Sequence, residues 1–156
     1  MQIIIQELLQ VVRAYREKID GITDSEFYAK PNPKKWSKIE VLGHLVDSGQ
    51  NNLRRFICGQ YEPIPPWIVY DQDFWVESNQ YQKAKKDDII SLWTLLNERI
   101  AEVLRSMPQS NYHRECNTGK EIADFHSLEW LAADYVKHLK HHLNQIIPGS
   151  FDVKYP

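Results

Sequence analysis

The chain has 156 residues, of which 42% are apolar and 12% are aromatic. This length supplies one substantial hydrophobic core, so we expect a single domain over residues 1–156. The 19 basic and 21 acidic side chains are interspersed along the sequence and give a formal net charge of -2. Because no basic cluster forms a surface for phosphate backbones, this charge pattern argues against nucleic acid as a partner.

The sequence also argues against a membrane-bound or secreted protein. No apolar run approaches the roughly 20 residues that a membrane-spanning helix needs, and the apolar N-terminal stretch contains Gln6 and Glu7. We therefore expect neither a membrane span nor a signal peptide. Cys58 and Cys116 are too few for a disulfide framework, which favours a reducing, cytoplasmic location.

Four segments have the apolar spacing of amphipathic helices, and helix-breaking residues separate them. The predicted class is all-α. The four predicted helices run from about Gln2 to Asp20, from Ser37 to about Cys58, from about Lys86 to Met107, and from Ser127 to Ile147. Ser37 and Glu40 have the spacing of a capping box, and Gly59 is the predicted stop of the second helix.

The links at 59–85 and 108–126 are unusually long for a helical bundle. Long links often carry function. The first contains several aromatic residues, among them Trp67, Tyr70, Phe74, Trp75 and Tyr81. Two interpretations stay open for them, a lid over one end of the bundle and simple shielding of helix ends.

The fourth helix contains three of the six histidines within five residues. Since each helical residue advances by about 100°, His138 and His142 lie close together on the inner face, whereas His141 points outward. Two imidazoles at this spacing can converge on one ion. The sequence therefore predicts an inward-facing pair of metal ligands.

A third ligand is expected from a facing helix, and the second helix offers His44 at the border of its apolar arc. Three neutral imidazoles leave coordination positions free for water or substrate, as at catalytic zinc sites. Imidazole also suits nickel, copper and iron. Asp47, Asn51 and Gln145 are candidates to hold the second nitrogens of the rings. The alternative is that these histidines are hydrogen-bonded core residues.

Several short motifs together are typical of one known family. They are Trp36-Ser37 followed by Glu40, the run Gly43-His44-Leu45-Val46-Asp47-Ser48, Arg54-Arg55-Phe56, Tyr70-Asp71 with Trp75, and His138 and His142 before Gln145-Ile146. In their order and spacing the chain resembles the DinB-like superfamily, specifically its YfiT-like branch of metal-dependent hydrolases and bacillithiol-type S-transferases. The resemblance covers roughly residues 20–147.

This resemblance implies an up-down-down-up four-helix bundle in which the second and fourth helices supply three metal-binding histidines. Those positions correspond to His44, His138 and His142. The resemblance further implies zinc or nickel as the metal, and a homodimer. The breadth of apolar residues at Ile3, Ile4 and Ile5 also favours a homodimer.

The functional hypothesis is a metal-dependent enzyme acting on a small molecule. The ion would activate water in a hydrolase, or a low-molecular-weight thiol in an S-transferase. Arg55 is a candidate to line the substrate pocket, or else it pairs with Glu40 or Asp47. The alternatives are a non-catalytic bundle that binds a metal or small ligand, and an interaction bundle without metal.

Overall fold

The computed structural model describes residues 1–155 and consists mainly of helices. The helices are α1 (Gln2–Asp20), α2 (Asp24–Phe27), α3 (Lys38–Tyr61), α4 (Gln72–Asn79), α5 (Lys86–Ser106) and α6 (Leu128–Ile146), with 3-10 turns at Tyr81–Lys83 and Gln109–Asn111 and short strands β1 (Glu115–Asn117) and β2 (Phe125–Ser127). The four long helices α1, α3, α5 and α6 form the bundle, which confirms the all-α prediction. Within residues 1–155, no helix has the length and apolarity that crossing a membrane requires.

The helices form a ring in which α3 and α1 each pack against both α5 and α6. The Lys86 ammonium at the start of α5 donates to the Asp20 carbonyl at the end of α1, 2.6 Å away, so these two helices run in opposite directions. The Met1 amino group lies beside Glu129 at the start of α6, so α1 and α6 run in the same direction. Because α2 follows α1 directly and packs against α3, the start of α3 lies at the same end as the start of α5. The up-down-down-up topology is therefore confirmed.

The parallel course of α3 and α5 explains the long link between them. The chain leaves α3 at one end and must return over the length of α5, which has 21 residues and so spans about 30 Å. We call residues 62–85 the crossover. It contains α4 and a 3-10 turn, neither of which the sequence analysis predicted.

The aromatic residues of the crossover differ in exposure, so neither interpretation, a lid or simple shielding of helix ends, describes all of them. Trp67 and Phe74 are 61% and 65% exposed, whereas Tyr81 is only 4% exposed. The Tyr81 ring packs directly on Gly43 of α3, where a Cβ atom would overlap the ring. Tyr70 and Trp75 pack edge to face, with ring centroids 5.6 Å apart.

The predicted end of the second helix is wrong, because α3 continues past Gly59 to Tyr61. Gly59 is buried inside the helix, and a Cβ atom there would lie 2.7 Å from Cδ2 of Leu128 and 3.0 Å from Sγ of Cys116. Glycine at this position therefore permits close packing, not chain reversal. The predicted capping box at the other end of α3 is present, formed by Ser37 and Glu40.

The link between α5 and α6 contains a small hairpin that the sequence analysis did not predict. Strands β1 and β2 pair antiparallel, with Cys116 opposite His126. The Ile68 amide donates to the Asn117 carbonyl at 3.0 Å, and the Asn117 amide donates to the Pro66 carbonyl at 2.9 Å. The hairpin therefore anchors the first part of the crossover, at the end of the bundle opposite the start of α3.

Candidate metal centre

The three predicted histidines meet between α3 and α6. His44 lies in the second turn of α3, and His138 and His142 lie in the second half of α6. One ring nitrogen from each residue lies within 4.8 Å of the other two, and the Nε2 atoms of His44 and His138 are 3.3 Å apart. Residues 94 positions apart in the chain are thus brought into contact by the antiparallel packing of the two helices.

The spacing of these nitrogens fits a bound transition metal. Two imidazole nitrogens at about 2.0–2.1 Å from a tetrahedral zinc ion are about 3.3–3.4 Å from each other. In the metal-free protein the same pair can share one proton as an N–H···N hydrogen bond. Among residues 1–155, no fourth histidine, cysteine or carboxylate belongs to this cluster. The cluster therefore offers three ligand nitrogens to a metal ion and resembles a site that keeps a coordination position open.

All three imidazoles are poised to be neutral near pH 7. Burial, with a smaller contribution from the charge of His142, lowers the pKa of His44 to about 3. Burial also lowers the pKa of His142 to about 4, although the hydrogen bond with Gln145 opposes this shift. The pKa of His138 falls well below its usual value, mainly because of burial. Neutral rings keep the lone pair that a metal ion requires.

Polar neighbours orient two of the three rings. Nδ1 of His138 lies 3.4 Å from the Ser48 hydroxyl, and Nδ1 of His142 lies 3.2 Å from Oε1 of Gln145. Such contacts on the second nitrogen leave Nε2 free to bind a metal ion. Gln145 was expected in this role. Ser48 was not, although it lies one helical turn after His44.

Asp47 and Asn51 do not form the hydrogen bonds to ring nitrogens that the sequence predicted. One oxygen of Asp47 accepts hydrogen bonds from the Tyr81 hydroxyl at 2.7 Å and from the Asn79 amide at 3.0 Å, so this carboxylate anchors the crossover. Asn51 donates to the backbone carbonyl of Asp47 at 2.9 Å. Burial raises the pKa of Asp47 to about 6, with the Tyr81 hydrogen bond opposing the shift.

Two buried atoms beside the cluster lack a hydrogen-bond partner among the described residues. They are Nδ1 of His44 and Oδ2 of Asp47, which lie one helical turn apart on α3. An unpaired buried polar atom is costly. Neither residue is solvent-exposed, so each of these two atoms could form a hydrogen bond that none of the described residues provides.

A cleft of about 630 Å³ opens beside the cluster and includes His142 and Gln145 in its lining. Trp36 also lines this cleft, and its ring lies against His44 with centroids 5.0 Å apart. The cleft therefore gives a small molecule access to the side of the cluster formed by His142. His141 contributes no ligand atom to the three-residue group, although its ring packs edge to face against the His142 ring, with centroids 4.9 Å apart. Its Nε2 atom contacts Nε2 of Gln145 at 3.3 Å.

The structure shows Arg55 bound to the crossover and not paired with a carboxylate, which was one of the two sequence interpretations. Its guanidinium donates two hydrogen bonds to the Ile68 carbonyl, at 3.1 and 2.8 Å, and one to Oδ1 of Asn52 at 3.3 Å. It pairs with neither Glu40 nor Asp47, and it does not line the cleft beside His142. Arg55 connects α3 to the crossover, and its role as a pocket residue stays a prediction.

Comparisons with known proteins agree with this architecture. The chain is 28% identical over 144 residues to the "Putative metal-dependent hydrolase YfiT" of Bacillus subtilis (strain 168), covering 91% of this chain and 79% of that protein. A solved structure of YfiT, described as a probable metal-dependent hydrolase with an unusual four-helix bundle topology, superimposes with a TM-score of 0.84 at 26% identity. That match covers 93% of this chain and 82% of YfiT.

A second solved structure shares the fold at lower identity. A mycothiol-dependent maleylpyruvate isomerase matches with a TM-score of 0.66 and 12% identity, over 89% of this chain and 59% of the isomerase. At this identity the likeness concerns the fold alone. The DinB superfamily model matches residues 7–146, and the chain therefore belongs to the DinB superfamily.

Proposed function

We propose that this protein is a metal-dependent enzyme in which His44, His138 and His142 bind one divalent transition metal, zinc or nickel. The observation that carries the proposal is the convergence of three imidazoles, buried at His44 and half-buried at His138 and His142, at the edge of a cleft of about 630 Å³. A divalent metal at such a site supplies a Lewis acid that lowers the pKa of a coordinated water or thiol and so provides a nucleophile near neutral pH.

The residues around the cluster have distinct roles in this proposal. Ser48 and Gln145 fix the orientation of the His138 and His142 rings. The Trp36 ring covers His44, which has no solvent exposure, and so excludes water from that side. His142 faces the cleft, so the substrate approaches from its side of the cluster.

The three-donor cluster favours catalysis over a purely structural metal. Structural zinc is almost always held by four protein ligands, whereas catalytic sites keep a position for water or substrate. The described residues contribute only three donors to this cluster. This difference supports an enzyme over the non-catalytic binding bundle.

Two reaction classes fit the centre, and both act on small molecules. The similarity to YfiT, which is named as a metal-dependent hydrolase, supports hydrolysis. Transfer to a low-molecular-weight thiol has support at the level of the fold alone, from the mycothiol-dependent isomerase. We further propose that the enzyme is a cytoplasmic homodimer without nucleic-acid or membrane partners.

Activity assays on metal-loaded protein test this proposal. One panel contains esters and amides without thiol, and the other contains a low-molecular-weight thiol with haloalkyl or chlorinated aromatic electrophiles. We expect turnover in one panel, its loss on chelation, and its recovery when metal is restored. The His142→Ala variant should be inactive and the His141→Ala variant active. Turnover that survives chelation, or inactivity of the metal-loaded protein across both panels, would contradict an enzymatic function of the centre.

A further inference from the structure

The cleft beside His142 has a wall that the proposed reaction does not explain. This wall comes from the segment that joins α2 to α3 and from the first residue of α3, and it carries three lysines, Lys34, Lys35 and Lys38. Lys38 forms an ion pair with Glu26. Within residues 1–155, Lys34 and Lys35 have no carboxylate within 4.0 Å, so their ammonium groups are free to bind a ligand.

The backbone that carries these two lysines is held in a defined turn. The Oδ1 atom of Asn32 accepts from the Lys34 amide at 2.9 Å, and the Asn32 carbonyl accepts from the Lys35 amide at 3.1 Å. Pro31 and Pro33 flank Asn32 and restrict the backbone further. The two side chains therefore start from fixed positions at the mouth of the cleft.

Positive charges outnumber negative charges in the lining of the cleft. Asp73 is the one carboxylate in the lining, against the two free lysines, while Trp36 and Val41 supply apolar surface. A cleft with an excess of one charge attracts ligands of the opposite charge and favours their association. Lysine ammonium groups act as compact charges without a fixed bonding geometry, so they select for charge more than for the shape of the anion.

From this arrangement we propose that the cleft selects small molecules that carry an anionic group. Lys34 and Lys35 bind the anionic oxygens, Trp36 contacts an apolar or aromatic part, and the reacting group reaches the side of the cluster formed by His142. This inference rests on the proposed function for its reaction, but it assigns a binding site and a substrate class that can be measured without turnover.

Binding of naphthalene-2-sulfonate to metal-loaded protein tests the proposal. A sulfonate is a weak metal ligand, so its affinity reports the lysines more than the metal, and naphthalene-2-methanol is the neutral comparison. We expect the anion to bind about tenfold more tightly than the alcohol at low salt, and this advantage to shrink at high salt. Competition by succinate or by inorganic phosphate that is lost when Lys34 and Lys35 are replaced supports the proposal and identifies which oxyanion is preferred.

Two double variants provide the controls. Lys34→Gln with Lys35→Gln should weaken binding of the sulfonate about fivefold or more and leave binding of the alcohol unchanged. Lys120→Gln with Lys137→Gln removes two exposed charges that do not line the cleft and should change neither affinity. Equal binding of anion and alcohol, or full affinity in the first double variant, would overturn the proposal. Metal content is measured in parallel, because its loss in the His142→Ala variant tests the metal centre independently of the lysines.

Discussion

Nε2 of His44 and Nε2 of His138 lie 3.3 Å apart across the contact between α3 and α6. These helices run antiparallel, so the second turn of one faces the later turns of the other. A metal bound here would join two helices that are distant in sequence. Because a ligand that binds only the folded state stabilises it, metal loading and resistance to unfolding should be coupled.

Metal content is the most direct test of the histidine cluster. We expect about one transition metal per chain in the purified protein, and near-complete loss after His44→Ala, His138→Ala or His142→Ala, because two imidazoles make a weak site. Elemental analysis after gel filtration measures this, with circular dichroism to verify folding. The matched control is His141→Ala, since His141 lies on the same helix but outside the cluster. Full metal content in a folded variant of the first three would disprove the predicted ligand set.

The lowered pKa values of the histidines predict a pH dependence of stability for the metal-free protein. His44 and His142 have folded pKa values of about 3 and 4, below the ordinary value of 6.5. Below pH 6.5 the unfolded chain therefore binds more protons than the folded one, and the free energy of unfolding falls as the pH drops toward 4. Asp47 acts in the opposite direction between its ordinary pKa of 3.8 and its folded pKa of about 6.

Because three histidines oppose one aspartate, the expected net effect is a loss of stability on acidification. Urea unfolding of chelated protein at pH 7.5, 6.5, 5.5 and 4.5 measures it. His142→Gln removes one titrating ring and should lose less stability between pH 6.5 and 4.5 than the unsubstituted chain. Identical pH profiles would show that His142 does not titrate in the way its burial implies.

Gly43 should be essential for the contact between α3 and the crossover. In the Gly43→Ala variant the new methyl group overlaps the Tyr81 ring, so Tyr81 must move and its hydrogen bond to Asp47 is lost. We expect a decrease of about 1–3 kcal/mol in the free energy of unfolding, measured by urea denaturation. Gly21→Ala is the control, because its Cβ would meet no atom closer than 3.6 Å and its φ of -71° suits alanine. Equal stability of the two variants would contradict the assigned role of Gly43.

The histidine cluster could be predicted from sequence because helical periodicity fixes which residues share a face. Ile4, Leu8 and the other apolar positions of α1 defined a helix in the same way, and its predicted bounds agree with the structure. The order of helix directions came from the family resemblance. Spacing alone does not determine whether α5 runs parallel or antiparallel to α3.

The errors have identifiable physical causes. Glycine both ends helices and allows close helix packing, so the local sequence around Gly59 could not distinguish the two. The three-residue strands β1 and β2 are too short to show an alternating pattern. The contact of Asp47 with Tyr81 depends on the path of the crossover, which long-range packing determines, and no local pattern reports it.

Arg55 offers a test of whether it lines a pocket or holds the crossover. Lysine has no rigid fork that could reproduce the two hydrogen bonds that Nε and Nη2 of the guanidinium donate to the one Ile68 carbonyl oxygen. Arg55→Lys should therefore lower the free energy of unfolding by about 1–3 kcal/mol while metal content stays unchanged. Arg54→Lys is the control, since Arg54 is exposed. Unchanged stability together with weaker substrate binding would instead favour the pocket role of Arg55.

The homodimer remains a prediction, and the surface of α1 now allows a sharper test of it. Ile5 is buried, whereas Ile3 is 78% exposed, so Ile3 is the residue of this apolar run that remains free to contact a second copy of the chain. Light scattering at micromolar concentration should return twice the chain mass of 18.4 kDa.

If α1 contributes to the interface, Ile3→Glu should shift the population to monomer, because an unpaired charge is costly to bury in an interface. Ile122→Glu introduces the same charge at an 83% exposed position in the link before α6 and should leave the dimer intact. A mass near 18.4 kDa for the unsubstituted protein over the whole concentration range would exclude the dimer, and a dimer unaffected by Ile3→Glu would place its interface away from α1.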